Sequence, residues 1–371
     1  MTSAVIRQVL SANWSTRVVG YPGPAGWCRL SPTQASGAGL SPDRSGPSTS
    51  IEAIRQVDLM EETLAQVAAQ NGGLFTTDQA LRIGLGEFGL RRLVDTGRVH
   101  RVIQGVYVLA DSHPRNLHAQ APAHVRDVET HLLLGRAGLL RYSDAILSHE
   151  TALLAHGLPV PTIRIDRAHI ARPVRRRLHT RSLVISPRTD GGTATKYGPA
   201  SLGPAAIMDV AIARGVLLAV SAADRALREE TVSRADLEDE ARTRAGRTGC
   251  ARAHALVGLV DDAAESPGES LARTHLRLAG YDVESQVRVR NAEGRTFARL
   301  DLRIRGTRIG IEFDGKIKYN SREDLWAEKR REDELRRLGW TIVRLTWADV
   351  MNPGRMLGLV QRASPTVRRL G

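Results

Sequence analysis

Apolar side chains recur at helical spacing from about residue 61 onward. Leu64, Val67 and Ala68 occupy positions i, i+3 and i+4, and Asn71-Gly72-Gly73 ends the helix that they predict. Thr76-Thr77-Asp78 then supplies an N-cap for a short second helix. The pattern therefore predicts two consecutive helices before about residue 84.

A third helix and a β-hairpin are predicted directly after these two helices. The third helix ends at Thr96-Gly97 and has four apolar positions: Phe88, Leu90, Leu93 and Val94. Val99–Leu109 predicts two short strands joined at Gln104-Gly105. Three helices and a hairpin in about fifty residues are typical of a winged helix-turn-helix. We expect such a DNA-binding domain over residues 58–112.

Four arginines are the candidate nucleic-acid contacts of this domain. Arg91 and Arg92 lie between the apolar positions of the third helix, which would enter the major groove. Arg98 and Arg101 lie at the wing, from which they would reach phosphates. The alternative is that these arginines only solubilise a small helical domain.

Two stretches of this region resemble a known family. They are Gly72-Gly73-Leu74-Phe75-Thr76-Thr77, followed by Ala80, and Gly105-Val106-Tyr107-Val108-Leu109. Both resemble the N-terminal domain of AbiEi-type antitoxins, over about Thr63–Ala110. Those antitoxins are transcriptional autorepressors of type IV toxin–antitoxin systems, so the resemblance implies DNA and a cognate toxin as partners. Gly89 departs from the pattern, because glycine inside the presumed recognition helix weakens that helix by roughly 1 kcal/mol relative to alanine.

Residues 113–262 are predicted to form a mixed α/β middle region. His149–Ala152, Met208–Ala211 and Ala222–Leu227 resemble later helices of the same antitoxin-like proteins. A metal site built from His149, Glu150 and His156 is disfavoured, because the two histidines are seven residues apart and no further ligand is close in the sequence. Asp209 and Asp224 are instead expected to cap helices or to pair with arginines.

The C-terminal third predicts the element order αβββαβ. One helix begins at Ser266 and ends at Gly280, and a highly charged helix spans about Arg322–Leu338. The predicted strands are Val283–Val289, Phe297–Ile304, Arg308–Asp314 and Trp340–Thr346. In the second strand Leu300, Leu302 and Ile304 alternate with polar residues, so the two sets face opposite sides.

Three carboxylates of this segment are the candidate catalytic and metal-binding residues. Glu312 and Asp314 share one face of a strand, and a hairpin would bring Asp301 across from them. Three adjacent carboxylates repel one another unless a cation lies between them, so we expect a Mg²⁺ (or Mn²⁺) site. The cation would polarise a phosphodiester bond and activate water. Lys316 would stabilise the charge that develops on the phosphate.

These residues resemble the PD-(D/E)XK nucleases. Asp301 and Glu312-Phe313-Asp314-Gly315-Lys316 carry the resemblance, and the tail Glu328–Trp347 narrows it to domains related to very-short-patch-repair endonucleases. The resemblance covers about Pro267–Val350 and implies a restriction-endonuclease-like fold that hydrolyses phosphodiester bonds.

The sequence departs from this family at two points. The general pattern has lysine where this chain has Asp314. The narrower group often has histidines where this chain has Lys316 and Lys318, so Lys329 is an alternative proton-transfer group.

Each of these residues also has a purely structural interpretation. Asp301 would pair with Arg299 or Arg303, and the charged helix would be a solvated surface. Glu269 would complete a capping box with Ser266, and this role is favoured over metal binding. Three tryptophans are expected in the core rather than as base-stacking platforms: Trp326, Trp340 and Trp347.

The charge of the chain favours a polyanionic partner. Its 371 residues include 53 lysines and arginines against 40 aspartates and glutamates, a net charge of +13. The excess is concentrated in Ile163–Arg188, with eight arginines and one aspartate, and after Ser266, with 22 basic and 14 acidic residues. A GC-rich genome that favours arginine is the alternative explanation.

Composition also bears on the compartment and on the N-terminus. No apolar run is long enough to span a membrane, and Cys28 and Cys250 cannot build a disulfide framework, so we expect a cytoplasmic protein. Residues 1–57 are rich in Pro, Gly and Ser and are expected to be disordered, with Met60 as an alternative start.

The sequence therefore predicts an α+β multidomain protein. A winged helix-turn-helix, a mixed α/β middle region and a C-terminal αβββαβ domain over residues 263–371 follow one another. The favoured function is DNA binding with Mg²⁺-dependent, endonuclease-like hydrolysis. The alternatives are a non-catalytic antitoxin or transcriptional repressor, which uses the C-terminal fold only for binding, and a toxin-neutralising protein without essential DNA contact.

Overall fold

The computed structural model describes residues 60–162, 166–188, 191–314 and 322–363. In the last of these ranges the side chains are described from Trp326 onward. The helices are α1 (residues 60–69), α2 (Thr77–Arg82), α3 (Glu87–Asp95), α4 (Pro114–Leu117), α5 (Ala123–Arg141), α6 (His149–Ala155), α7 (Gly203–Arg214), α8 (Val216–Arg228), α9 (Arg234–Thr243), α10 (Cys250–Leu259), α11 (Pro267–Leu278), α12 (Arg322–Arg337), α13 (Trp347–Val350) and α14 (Pro353–Ala363). The predicted disordered N-terminal extension, Lys316 and Lys318 lie outside the described residues.

Thirteen strands form three sheets in the described part of the chain. The strands are β1 (Leu74–Thr76), β2 (Val99–Ile103), β3 (Val106–Leu109), β4 (Ile146–Leu147), β5 (Ala168–Arg172), β6 (Leu178–His179), β7 (Leu183–Pro187), β8 (Thr193–Thr195), β9 (Gly198–Ala200), β10 (Val283–Arg290), β11 (Thr296–Ile304), β12 (Ile309–Phe313) and β13 (Thr341–Leu345). The whole is a mixed α+β architecture, as the sequence predicted.

The N-terminal unit follows the order helix, strand, helix, helix, strand, strand. Its sheet has the order β1-β3-β2 with antiparallel pairs, and Leu74 lies opposite Val108. The predicted helices and hairpin are present, and Thr76 forms a capping box with Gln79 at the start of α2. Strand β1 was not predicted, because it is only three residues long and runs directly into that N-cap.

The two faces of this small sheet pack into two different cores. One cluster is internal to the unit and includes Leu64, Phe75, Leu90 and Leu93. The other face contributes Val106, with Leu74, Ile103 and Val108, to the main core, where these residues join leucines of α5. The N-terminal unit is therefore anchored to the middle region by shared apolar burial.

The middle region contains a six-stranded mixed sheet in the order β6-β7-β5-β4-β9-β8, in agreement with the predicted mixed α/β character. Helices α7–α10 follow it and pack into the same main core. The predicted pairing of two aspartates with arginines is confirmed. Asp209 pairs with Arg244, and Asp224 pairs with Arg273 of α11. The second pair joins the middle region to the C-terminal segment.

The C-terminal segment has the predicted αβββαβ order. Its sheet runs β10-β11-β12-β13, with antiparallel neighbours except for β13, which is parallel to β12. Leu300, Leu302 and Ile304 are buried in alternation, as predicted. They nevertheless enter two clusters, because Leu300 packs with Leu335 of α12 whereas Leu302 and Ile304 belong to the main core.

The expectation that the three tryptophans are buried was wrong for two of them. Trp326 is 61% exposed and Trp347 is 41% exposed, whereas Trp340 is partly buried beside the Leu300–Leu335 cluster. Trp347 begins α13, separated from the end of β13 by one residue, and packs edge-on against Phe313, with 5.3 Å between ring centroids. Size and apolarity alone had placed these rings inside, but Trp326 lies on an exposed side of the charged helix α12, and Trp347 is the first residue of the short helix α13. None of the helices in the described ranges is long and apolar enough to cross a membrane.

Candidate functional site

Helix α3 presents an arginine-bearing face away from the protein core. Leu90 and Leu93 are buried, and Arg91 and Arg92 are exposed on the opposite side. Within the part of the chain that the structure describes, neither arginine has an ion-pair partner. The predicted exposure of these two side chains is therefore confirmed.

The two predicted wing arginines have different surroundings. Arg98 donates from Nη1 to Glu61 Oε1 of α1 at 2.7 Å, so part of its charge is already balanced. Arg101 is exposed on β2 and lines a cleft of about 790 Å³ between the hairpin and the middle region, with Gln104 on its own side and Arg181 on the far side. Of the two arginines, Arg101 therefore has the freer charge.

Asp301 and Glu312 are brought together by the register of β11 and β12. Leu302 lies opposite Ile311 in this antiparallel pair, so Asp301 and Glu312 are the next residues along the two strands. The Oδ2 atom of Asp301 accepts a hydrogen bond from the backbone N–H of Phe313 at 2.8 Å. The predicted hairpin juxtaposition of these two carboxylates is present.

The carboxyl of Asp301 is poised to hold a proton near neutral pH. Burial, aided by the negative charges of Glu269 and Glu312, raises the pKa of Asp301 to about 6. The hydrogen bond from Phe313 acts in the opposite direction. The structural alternative for Asp301 is wrong, because Arg299 pairs with Glu265 and Arg303 pairs with Glu284.

Glu269 belongs to the same acidic group, although the capping-box role was the favoured prediction for it. Ser266 accepts a hydrogen bond from the Glu269 N–H at 3.2 Å, as an N-cap should. The Glu269 carboxylate does not complete the capping box, because its Oε2 accepts instead from Glu265 N at 3.0 Å and from Gln286 Nε2 at 2.9 Å. Its burial in the first turn of α11, facing the strands, is the signal that only the fold could supply.

Gln286 lies at an irregular point of β10. Its φ of 53° is in the left-handed region, which is strained for a side chain other than glycine. The strain accompanies the hydrogen bond that its amide donates to Glu269. Strained backbone of this kind concentrates at functional sites, so Gln286 is added to the candidate residues.

Glu312 is held by arginines rather than left free. Its two carboxylate oxygens accept from Arg331 Nη1 at 2.9 Å and from Arg331 Nη2 at 3.2 Å. Arg331 also binds Glu328, and Arg344 approaches Glu312 within 3.8 Å. These bonds to Glu328 and Glu312 raise the pKa of Arg331. The charged helix α12 is therefore more than a solvated surface, because its Arg331 guanidinium pairs with Glu312 of the acidic group.

The third predicted ligand lies at the open end of this group. Asp314 is exposed just after β12, and its backbone N–H donates to Leu345 O at 2.8 Å. Among the described side chains, no three His, Cys, Asp or Glu residues are arranged to hold a metal ion. Carboxylate oxygens are nevertheless the donors that Mg²⁺ prefers, and Asp301, Glu269 and Glu312 supply them on adjacent elements. The metal site stays a prediction.

The three residues weighed as a histidine-based metal site have other partners. His156 shares a hydrogen bond of 2.8 Å with the Ser201 carbonyl, and Glu150 pairs with Arg214 at 2.6 Å. His149 is buried and stacks beside His169, with 4.9 Å between ring centroids. Each of the three side chains therefore has a partner within the protein.

Comparison with known proteins identifies one segment by family. Residues 62–110 match the family described as "Transcriptional regulator, AbiEi antitoxin", which confirms the resemblance expected for about Thr63–Ala110. Two uncharacterized proteins of Mycobacterium tuberculosis, MT2308 and Rv2248, are each 28% identical over 154 residues, or 41% of this chain. The match covers 57% of the length of each relative. The nuclease resemblance of Pro267–Val350 stays a prediction.

Proposed function

We propose that this protein is a DNA-binding regulator of the AbiEi antitoxin type, which binds duplex DNA through α3 and the β2–β3 hairpin. The observation that carries the proposal is the outward face of α3, where Arg91 and Arg92 are exposed in a unit that matches this family. A helix of this kind fits the major groove, and basic side chains beside it bind the phosphates. The family also implies a cognate toxin as a second partner.

Titration of duplex DNA with the full chain at several salt concentrations tests this proposal. Arg91→Ala/Arg92→Ala should weaken binding and reduce the slope of log affinity against log salt by roughly 0.9 for each phosphate that an arginine no longer neutralises. Arg242→Ala/Arg247→Ala is the control, since it removes two exposed arginines from α9 and the segment after it, outside the N-terminal unit. Equal affinity and slope in the wild type and the α3 variant would contradict DNA binding through α3.

A second candidate function is Mg²⁺-dependent hydrolysis of phosphodiester bonds by the C-terminal segment. The raised pKa of Asp301, beside Glu269 and Glu312, favours it, because such a group of carboxyls gains most from a divalent cation. Asp301, Glu312 and Asp314, with Glu269, would hold Mg²⁺, which supplies activated water and phosphate polarisation when bound. Lys316 would stabilise charge on the phosphate.

Incubation of plasmid DNA and of RNA with the full chain tests this second function. Cleavage should require Mg²⁺ or Mn²⁺ and should be lost in Glu312→Ala. Glu284→Ala is the control, because it removes from β10, at the other edge of β11, a carboxylate that pairs only with Arg303 and Arg305 among the described side chains. Absence of cleavage and of any effect of the cations on melting would leave the non-catalytic regulator.

A further inference from the structure

The most exposed phenylalanine of the described structure lies on the helix that faces the DNA. Phe88 is the second residue of α3 and is 83% exposed. By contrast, Phe75 is fully buried and packs against Tyr107, and Phe297 and Phe313 are partly buried. A single exposed apolar side chain is common on protein surfaces, so its meaning depends on its neighbours.

The neighbours of Phe88 are the two candidate DNA contacts. Arg91 and Arg92 are three and four positions after Phe88 in α3. Because successive residues of a helix are 100° apart, the three side chains share one face. Leu90 and Leu93 occupy the opposite, buried face. The aromatic ring is therefore an apolar centre among charged side chains, with Glu87 directly before it and Asp95 two turns further along the same face.

The chain around Phe88 leaves room for a close approach. Gly86 is the N-cap of α3, and a β-carbon added there would meet no atom of the protein within 4 Å. Internal packing therefore does not require glycine at this position, whereas a surface that closely approaches the start of α3 would. The first residues of a recognition helix are the ones that contact base edges in the major groove.

We propose that Phe88 reads thymine, by packing its ring against the C5-methyl group in the major groove while Arg91 and Arg92 bind the flanking phosphates or bases. The thymine methyl is the one apolar group on the major-groove edge of a base pair, and phenylalanine is among the side chains that contact it. The inference rests on the proposed DNA binding through α3. It names the thymine methyl group as the feature of the DNA that α3 selects.

A protein partner is the competing occupant of this face. The match of residues 62–110 to a transcriptional regulator favours DNA, because α3 lies within the matched segment and presents Arg91 and Arg92 one turn from the ring. Two arginines beside an aromatic ring match a polyanion with exposed methyl groups.

The test uses duplexes that the wild-type full chain selects from a randomised duplex library. Each selected thymine is then replaced in turn by uracil, which removes only the methyl group. The wild type should bind at least one such duplex about three- to fivefold more weakly, the effect expected for one buried methyl group. Phe88→Ala should bind the thymine and uracil duplexes equally.

Two variants complete the design. Phe88→Leu keeps an apolar side chain and should keep part of the thymine preference. Arg91→Ala/Arg92→Ala should weaken both duplexes while the thymine-to-uracil ratio stays above one. Because Phe88 packs little inside the protein, Phe88→Ala should melt at the same temperature as the wild type.

The outcomes separate this inference from the function on which it rests. If the wild type selects no duplex, DNA binding and the role of Phe88 both fail. If it selects a site but discriminates nowhere between thymine and uracil, or if Phe88→Ala keeps the same ratio, only the role of Phe88 is overturned. A wild-type dimer that Phe88→Ala converts to a monomer, without a change in base preference, would assign the ring to a protein contact instead.

Discussion

Arg331 holds Glu312 through two parallel hydrogen bonds, of 2.9 Å to Oε1 and 3.2 Å to Oε2. This two-point geometry is the strongest form of arginine–carboxylate pairing. Glu312 is also a predicted ligand of the divalent cation, so the guanidinium and the metal would compete for the same two oxygens. Arg331 would therefore weaken metal binding at the proposed site, because it occupies both oxygens of Glu312.

Replacing Arg331 should tighten metal binding. In Arg331→Gln the carboxylate of Glu312 loses its strongest competitor, and we expect the Kd for Mn²⁺ to fall about threefold to tenfold, which corresponds to roughly 1 kcal/mol. The metal-free protein should lose about 1 kcal/mol of stability, because Glu312 and Glu328 lose their shared cation. Calorimetric titration and melting of the full chain measure the two effects.

Arg336→Gln is the control on the same helix. Arg336 pairs with Glu332 and Asp333 at the exposed side of α12, so its removal should leave the Kd unchanged. Weaker Mn²⁺ binding in Arg331→Gln than in the wild type would show that Arg331 supports the site instead of competing with the metal.

Asp301→Asn should change the pH dependence of stability in the metal-free protein. The folded-state pKa of about 6 is above the unfolded value of 3.8, so the folded state binds the proton first. Protonation of Asp301 therefore increases the free energy of unfolding as pH falls from above 6 toward 4. Above pH 6 the ionised carboxylate decreases it. We expect Asp301→Asn to be about 1 kcal/mol more stable than the wild type at pH 7.5, with the difference shrinking at pH 4.5.

Urea unfolding in EDTA at both pH values measures this difference. Asn can still accept the Phe313 N–H bond, so the variant isolates the charge. A variant that is less stable at pH 7.5, with an unchanged slope against pH, would show that the ionised carboxylate is a structural requirement.

The sequence predicted the elements of the acidic site better than its contacts. Side chains alternate between the two faces of a strand, and this alternation was enough to place Asp301 and Glu312 on one face of two paired strands. The capping preference of Ser266-x-x-Glu269 was a local rule, and it missed the turn of Glu269 toward Gln286, which is 17 residues away. Arg331 could not be assigned for the same reason, since its pairing depends on where α12 crosses the sheet.

The N-terminal unit was predictable for a different reason. Its helices are bounded by glycines and an N-cap, such as Thr76 with Gln79, and these signals are local. Its attachment to the middle region was not predictable, because Val106 and Val108 pack on leucines of α5 more than twenty residues further along the chain. The exposure of Phe88 was not predictable either, since the apolar pattern that predicts α3 does not distinguish Phe88 from the buried Leu90 and Leu93.

His275 should make the protein sensitive to acid. Burial lowers the pKa of His275 to about 4, although its hydrogen bond with Val350 acts in the opposite direction. Since the unfolded value is 6.5, the unfolded state takes up the proton first, and the contribution of His275 is complete above pH 6.5 and is lost as pH falls toward 4. At pH 5 the loss should be about 2 kcal/mol.

Urea unfolding of His275→Gln at pH 7.5 and pH 5 measures this effect, because the variant cannot titrate. His254→Gln removes an exposed histidine and should follow the wild type at both values. If His275→Gln loses as much stability between these pH values as the wild type, the acid sensitivity arises elsewhere, for example at the buried His169, whose pKa burial lowers to about 2.

The buried pair of Arg273 and Asp224 should couple the unfolding of the middle region to that of the C-terminal segment. Arg273 is fully buried, and Asp224 on α8 is buried almost as completely. Burial raises the pKa of Asp224, and the positive charge of its partner Arg273 opposes that shift. Arg273→Met removes that partner and should cost about 3–5 kcal/mol.

The double variant Arg273→Met/Asp224→Leu distinguishes the loss of an ion pair from the loss of packing. Replacing both charges by apolar side chains should restore much of the stability, because no uncompensated buried charge remains. Arg225→Met, which breaks an exposed pair with Glu229, should change stability by less than about 1 kcal/mol. Hydrogen exchange on Arg273→Met should show α8 and α11 losing protection together. Loss of protection in α11 alone would mean that the C-terminal segment unfolds independently of the middle region.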